Sequence, residues 1–469
     1  KLCMKMIPAT EGGYALLHEG VQAFADIESN GICIDVPYLN RTIKKTERRI
    51  TRLERQLHSS KVFKVWKRMF GNKTNLSSGE QLGKVLFDEI GHKSPGLTKS
   101  GQHKTDEESL AKVKDPFVAD YLNLIKLRGV LSKNLRGLLS EVTDGKIHSF
   151  FNLHTARTYR SSSERPNFQN QPIRDPDIGT LVRSCFIPRR GRKLVEADYS
   201  GIEVRVAACY HKDPRMIEYI VDTTKDMHRD MAMECYLLQE SDVNKSIRYC
   251  GKNMFVFPQF YGSWWRDCSL HLWEAIHKMN LKTASGVPLL DHLRSKGIKK
   301  LGQVAVGEDP VKGTFAHHIM QVERHFWNVR FKQYSQWKKD WWQQYLDLGY
   351  LHTLTGFVCS GFMRKNEVIN YPIQGSAFHC LLWSLIRIVR YELKRRKMKS
   401  LVIGQIHDSI LGDVVPEEEA EFVHLVHHVM TVELPKVWRW LCVPLEIEVD
   451  VSPVDCSWAE KEEVSIPRL

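Results

Sequence analysis

KLVEADYSGIEVRV, residues 193–206, opens on an apolar run and places Asp198 where that run ends. LVIGQIHDSILGDV, residues 401–414, does the same for Asp408 and reads as a tight β-hairpin. Each run has the length and composition of a buried strand. A carboxylate at such a strand end is costly unless it is paired, hydrogen-bonded or metal-bound. Two of them brought together by folding repel, and a divalent cation relieves the repulsion. Magnesium prefers hard oxygen ligands and binds through one or two carboxylates plus substrate phosphates, the arrangement of two-metal phosphoryl transfer. Taken singly, each segment is equally compatible with an unrelated surface aspartate at a strand end.

Working outward, 469 residues exceed one ordinary hydrophobic core, so two to four subdomains are expected. The chain is 42% hydrophobic and 26% charged, as a folded soluble protein is. It has no run of about 18 apolar residues, which argues against a membrane span. The first residues, KLCMKMIPATEGGY, lack the apolar core of a signal peptide and read as the middle of something larger. Eleven cysteines without a CxxC pair read as reduced thiols of an intracellular protein. A net charge of +13 suggests a polyanionic partner. Part of that excess lies between Arg41 and Lys73. This segment is either a solvated helix face or a cationic face turned to phosphates, with Val62, Phe63, Val65 and Trp66 packing behind.

Residues 14–60 read as helix interrupted at NGICIDVPYL, where Asn30-Gly31 and Pro37 punctuate the pattern. Residues 75–145 carry helical spacing, with Ser77 or Ser78 as a cap. A polar, turn-rich stretch follows from Ser161 to Asp177. The strand carrying Asp198 leads into a helix from about Gly201 to Tyr210, and a helix-rich region runs from about Met227 to Tyr350. Trp327, Tyr334, Trp337 and Trp341 within it read as a helix core face. NYPIQGSAFHCLLWSLIRIVRYELKRR is predicted to be helical after Gly375, and PLEIEVDVS to be a final strand. In RYCGKNMFVFPQFYG, Arg248 and Lys252 are four apart and project from one helix face. Two cations followed by aromatics suit a nucleoside triphosphate, although solvated helices produce such a pair constantly.

Taken in order, these segments resemble the family A DNA polymerases. DYSGIEVR resembles that family's first palm motif, QIHDS its third, and the helix of Arg248, Lys252, Phe257, Tyr261 and Gly262 its fingers helix. HTARTYRSSSERPNFQNQPI resembles the primer-template segment and NYPIQGSA the second palm helix. GICID and NLSSGEQL resemble the thumb. The resemblance implies an α+β right-hand polymerase fold, with a thumb at 14–145 after a remnant or linker at 1–13. Palm would occupy 146–214 and 351–469, and fingers 215–350. It implies template-directed DNA synthesis in replication or repair, with primer-template DNA and dNTPs as partners. Two Mg²⁺ ions, with Mn²⁺ as a substitute, would be held by Asp198, Asp408 and the Tyr199 carbonyl. Arg248, Lys252 and His228 would hold the triphosphate. Phe257, Tyr261 and Glu203 would meet base and sugar, the last two excluding a 2′-hydroxyl. Arg160, Asn167, Gln169, Asn170, Asn370, Gln374 and His407 would contact the primer-template. The implied setting is the cytoplasm of a bacterium or phage-infected host, with an organellar origin open. No exonuclease domain is expected within this chain, whether one lay upstream in a longer protein is left open, and any exonuclease or replisome partner stays unidentified. A single-subunit RNA polymerase, disfavoured by Glu203, and a silent primer-template binding protein are the rival readings.

Three departures from the family pattern carry expectations. Lys252 to Tyr261 is one residue longer than usual and contains Pro258, which predicts a π-bulge or kink. Such a bulge keeps Phe257, not Val256, on the face of Arg248 and Lys252. Ser409 follows Asp408 where the family often has Glu, so two carboxylates would suffice. Asn366 stands where the family commonly has Arg, four residues before Asn370.

Overall fold

A computed structural model describes residues 10–172, 175–303 and 307–466. The first nine residues of the expected N-terminal remnant lie outside that range. Five strands form the central sheet: β1 (Lys193–Tyr199), β2 (Leu401–Ile406), β3 (Ser409–Val414), β4 (Ile447–Val451) and β5 (Glu462–Glu463). Their order is β5-β4-β1-β3-β2, every neighbour antiparallel. PLEIEVDVS is therefore not the last strand, because β5 adds a two-residue edge to β4.

Alternation along β1 sorts its side chains between two faces. Tyr199 points into a helical layer, where its hydroxyl donates to Met430 O (3.0 Å) and lies 3.1 Å from Ser384 Oγ. Glu196 and Asp198 have the opposite parity and turn to the other face. All six residues of β3 are buried, so the second apolar run is a core strand. β2 and β3 meet through the two-residue turn His407-Asp408, with Ile406 paired to Ser409.

The N-terminal region is helical, with Glu11–Asn30 and Val36–Ser59 separated by the short strand Ile32–Ile34. Asp35 caps the second helix by accepting from Tyr38 N, and Pro37 sits in its first turn. Of the two serines that offered a cap near residue 78, Ser78 takes it. The Val36–Ser59 helix joins Pro116–Arg136 through Glu54–Arg128 and Glu47–Arg136 ion pairs at 2.6 and 2.7 Å. In the Met227–Leu348 region the aromatics pack as a core face. Trp327 meets Tyr334 at 5.4 Å between ring centroids, and Trp337 stacks on Trp341 at 5.3 Å. Among the described residues no helix is long and apolar enough to cross a membrane.

One helix starts earlier than its sequence suggests. It spans Lys365–Ile386 and contains Pro372 in its interior, ten residues of it lying before Gly375. Glu367 reaches back to the Arg364 amide (2.7 Å), which fixes the N-terminus. Proline removes the bond that the Val368 carbonyl would accept. The indole N–H of Trp341, from the neighbouring helix Lys332–Leu348, takes its place at 3.1 Å. A second helix donates what the proline removed, so the helix runs through.

Candidate active site

Asp198 is the last but one residue of β1, and Asp408 occupies the tip of the β2–β3 hairpin. The register Ser409↔Asp198 sets them side by side on neighbouring strands, and the Tyr199 amide donates to the Asp408 backbone carbonyl at 3.2 Å. On the other flank Glu448 lies opposite Asp198. Asp198 is solvent-exposed, yet crowding by surrounding atoms, then the charges of Asp408, Glu196 and Glu448, pushes its carboxyl up to about 7. Burial pushes Asp408 up to about 6; Arg160 opposes the shift and Glu203 adds to it. Asp408 Oδ1 has no hydrogen-bond partner in the protein, and Arg160 Nη2 stands 3.6 Å away.

These features fit a divalent cation: an orphaned carboxylate oxygen and two carboxyls that resist ionising together. Among the described residues no group of three or more His, Cys, Asp and Glu side chains is arranged to hold a metal. The pair therefore supplies a partial shell, open to water and substrate oxygens. Ser409, where a third carboxylate was absent, donates to Glu196 Oε1 (2.9 Å) and Ile406 O (3.0 Å). Glu196 also accepts from Trp458 Nε1 (2.8 Å) and Lys461 (2.5 Å), so its charge is spent below the site.

The raised carboxyls have a cost in the metal-free protein. A carboxylate whose folded pKa exceeds its unfolded one loses stability as pH rises from about 4 through the folded value. Asp408→Asn removes that loss. In metal-free buffer at about pH 8 we expect a melting temperature roughly 2–3 °C higher, corresponding to about 1–2 kcal/mol after solvent screening. The gain should shrink as pH falls through about 6 and vanish below about pH 3, where Asp408 is protonated in both states. A lower melting temperature at pH 8 would contradict it.

Facing Asp408 across a groove of about 1040 Å³ is a wall built on three consecutive helical segments. They are Lys245–Cys250, a π-helical Gly251–Val256, and Phe257–Phe260. The π segment directly precedes Pro258 and absorbs the extra residue. Phe257 consequently lines the groove with Arg248 and Lys252, its ring 5.2 Å from Lys252 Nζ, while Val256 is fully buried. Asp226 caps the Met227–Tyr236 helix and pairs with Arg248 Nε at 2.5 Å. His228 Nδ1 lies 3.4 Å from Arg248 Nη2 and its ring meets Phe257 edge-on at 5.8 Å. Burial and the charges of Arg248 and Lys252 lower His228 to about 4, so it is neutral at pH 7.

Glu203 joins the wall to the floor. Its Oε2 accepts from the Tyr261 hydroxyl at 2.6 Å, and its Oε1 from Arg160 Nη2 at 2.5 Å. Gly262, with φ 87°, leaves room for Asn366, whose Oδ1 would lie 2.8 Å from any added Cβ.

The remaining expected contacts divide. Asn370 lines the groove, and Gln374 lies one turn along the same helix, half-buried. Asn167 and Asn170 are exposed, as is His407 at the hairpin tip. Gln169 departs from the expected surface contact: it is 9% exposed, donating to Ser161 Oγ (2.8 Å) and Gln405 Oε1 (2.6 Å). Gln405 in turn donates to His407 O at 2.5 Å, holding that residue in its left-handed conformation (φ 49°). Gln169 thus supports the His407-Asp408 turn from beneath, because the polar stretch folds over the hairpin. Sequence reasoning missed Glu448, Gln405 and Asp226. The last carried a signal, an aspartate directly ahead of a helical run.

The sequence profile described as DNA polymerase family A matches residues 37–276 and 329–460. The chain belongs to DNA polymerase family A. It is 27% identical over 460 residues to DNA polymerase I of Chloroflexus aurantiacus, covering 94% of this chain and 42% of that protein. The thermostable DNA polymerase I of Thermus aquaticus is 27% identical, covering 91% of this chain and 46% of its own length. For the Bacillus subtilis DNA polymerase I the identity is 28%, with coverages of 92% and 44%. The chain spans less than half the length of these curated relatives. A solved structure, the POL domain of Pol1 from M. smegmatis in complex with DNA primer-template and dNTP, superposes with a TM-score of 0.72. The two are 25% identical, and the match covers 94% of this chain and 70% of that one. The expected α+β right-hand polymerase fold holds.

Proposed function

We propose that this chain is a template-directed DNA polymerase that extends a primer 3′-hydroxyl with dNTPs and releases pyrophosphate. The observation that carries the reading is that Asp408, set beside Asp198 by the strand register, lines one groove with an Arg–Lys–aromatic wall. Family membership supports it. Residues 14–145 would be the thumb, 146–214 and 351–469 the palm, and 215–350 the fingers.

Asp198 and Asp408, with the Tyr199 carbonyl beside them, would hold two Mg²⁺ ions. When bound, these ions supply activation of the primer hydroxyl and neutralisation of phosphate charge. Arg248 and Lys252 bind the triphosphate oxygens, Arg248 exchanging Asp226 for phosphate. Neutral His228 adds a hydrogen bond without a third charge. Phe257 presents its ring to the incoming base. Glu203 and Tyr261, already hydrogen-bonded, close the space a ribose 2′-hydroxyl would need. Arg160, Asn370, Gln374 and His407 meet the primer-template near the carboxylates, where contacts without sequence readout serve any template. Asn167 and Asn170 extend that surface.

The test is primer extension on a DNA template with Mg²⁺, dNTPs against rNTPs, beside Asp408→Ala. Extension with dNTPs alone, lost in the variant, is expected. Tight DNA binding without extension would overturn the reading in favour of a binding module.

The outer face of the Val36–Ser59 helix bears on affinity. Its two carboxylates, Glu47 and Glu54, are turned to Arg136 and Arg128. Arg41, Lys45, Arg48 and Arg52 are exposed, three or four apart, and form no ion pair among the described residues. Such like-charge spacing destabilises an isolated helix and suits a phosphate backbone. Changing all four to Gln is expected to flatten the log–log salt dependence of duplex binding by up to about 3.6, about 0.9 for each phosphate no longer neutralised. An unchanged slope would return the stripe to a solvated face.

A further inference from the structure

Gln259 lies between Phe257 and Tyr261 on the groove wall, yet its side chain is 1% exposed. It turns away from the groove into the aromatic core behind. There Nε2 donates to Glu323 Oε2 at 2.5 Å and to Cys268 Sγ at 3.5 Å, while Oε1 accepts from Trp327 Nε1 at 2.7 Å. A carboxylate only accepts and an indole only donates, so one amide orientation satisfies both partners. A carboxylate or an aliphatic chain at 259 would leave Glu323 or Trp327 unsatisfied in a buried place. Burial already pushes the Glu323 carboxyl up, and Trp327 is covered by Lys338, whose Nζ lies 3.0 Å from the ring centroid.

The helix is irregular where this anchor acts: a π segment precedes it, Pro258 lacks an amide hydrogen, and the helix ends at Phe260. Past that end the Tyr261, Gly262 and Ser263 amides donate to the Phe257, Gln259 and Pro258 carbonyls (3.0, 3.2 and 2.8 Å), so the turn that carries Tyr261 closes partly on Gln259 itself, and the Tyr261 hydroxyl meets Glu203 at 2.6 Å. Pairwise contacts run from Glu323 and Trp327 through Gln259, one turn of backbone, Tyr261 and Glu203 to Arg160.

We propose that Gln259 is a positioning residue for sugar selection: its amide, forked between Glu323 and Trp327, seats Tyr261 against Glu203. The inference rests on the polymerase reading and adds to it a determinant outside the groove.

Gln259→Leu, Trp327→Phe, their double variant and Glu323→Gln are compared in single-nucleotide extension with dNTPs and rNTPs, and by hydrogen exchange at residues 257–263 of the unliganded protein. Gln259→Leu is expected to lower the dNTP-to-rNTP ratio of kcat/KM about tenfold, mainly through a lower KM for rNTPs. Trp327→Phe should lower it in the same direction, and the double variant should fall no further than Gln259→Leu, as one shared interaction requires. Glu323→Gln keeps an acceptor and should stay near the parent. Amides of Tyr261, Gly262 and Ser263 should exchange at least tenfold faster in Gln259→Leu, with Lys245–Cys250 unchanged. An unchanged ratio in Gln259→Leu, or in Trp327→Phe should the first variant fail to fold, would overturn the proposal. So would additive losses. Failure of the parent to extend any primer strikes the polymerase reading instead, and the exchange rates then decide whether Gln259 seats Tyr261.

Discussion

Asp198→Asn is expected to lower the rate of primer extension by roughly 10³-fold or more, equivalent to about 4 kcal/mol of transition-state stabilisation. Affinity for primer-template in the absence of nucleotide should change by less than about threefold. The separation follows from position. Asp198 is the last but one residue of the central strand, exposed, and flanked by Ser409 on one side and Glu448 on the other. Its carboxyl is held up to about 7 by crowding and by like charges. Asparagine keeps the shape and abolishes the anionic partner a divalent cation needs, while the exposed polar residues proposed to meet DNA are untouched. Extension kinetics and a fluorescence binding isotherm on one preparation make the comparison. Retention of more than a tenth of the parent rate would remove Asp198 from metal binding.

Glu203→Ala should produce two effects with one cause. The carboxylate holds Tyr261 and Arg160 at the same time. Without it the tyrosine loses its acceptor, and the space beneath the sugar opens. Relative kcat/KM for rNTPs is expected to rise roughly 10²-fold. Arg160, whose Nη2 already lies 3.6 Å from Asp408, then has only that carboxylate to face. Pairing there competes with a cation, so kcat with dNTPs should fall about tenfold, with a higher Mg²⁺ requirement. Glu203→Gln keeps an acceptor for Tyr261 but releases Arg160. It should therefore reproduce the dNTP defect with less of the sugar defect. Equal behaviour of the two variants would show that Arg160 plays no part.

The central sheet was legible because two of its strands are apolar runs closely followed by an aspartate, and the two runs together say more than either alone. Phe257 was legible through a count, the extra residue before Tyr261, and the proline beside it explains where the surplus is stored. Other elements hide for physical reasons. Lys365–Ile386 has Asn366 in its first turn and carries Pro372, both of which argue locally against a helix; the compensating donor is Trp341, remote in sequence. Gln169 looks like a surface amide because its two neighbouring Asn residues are exposed, and only the fold shows that it lies under the hairpin. Glu448 sits in an alternating strand whose register to Asp198 no local pattern encodes.

The indole that serves the Val368 carbonyl makes two distant positions historically dependent. If Pro372 were exchanged first for a residue with an amide hydrogen, the helix would repair itself and Trp341 would become dispensable. If Trp341 were exchanged first, a carbonyl would be stranded in the helix that carries Asn370 and Gln374. The same pair of changes is thus passable in one order and costly in the other, so a lineage that adopted this proline committed itself to keeping the tryptophan.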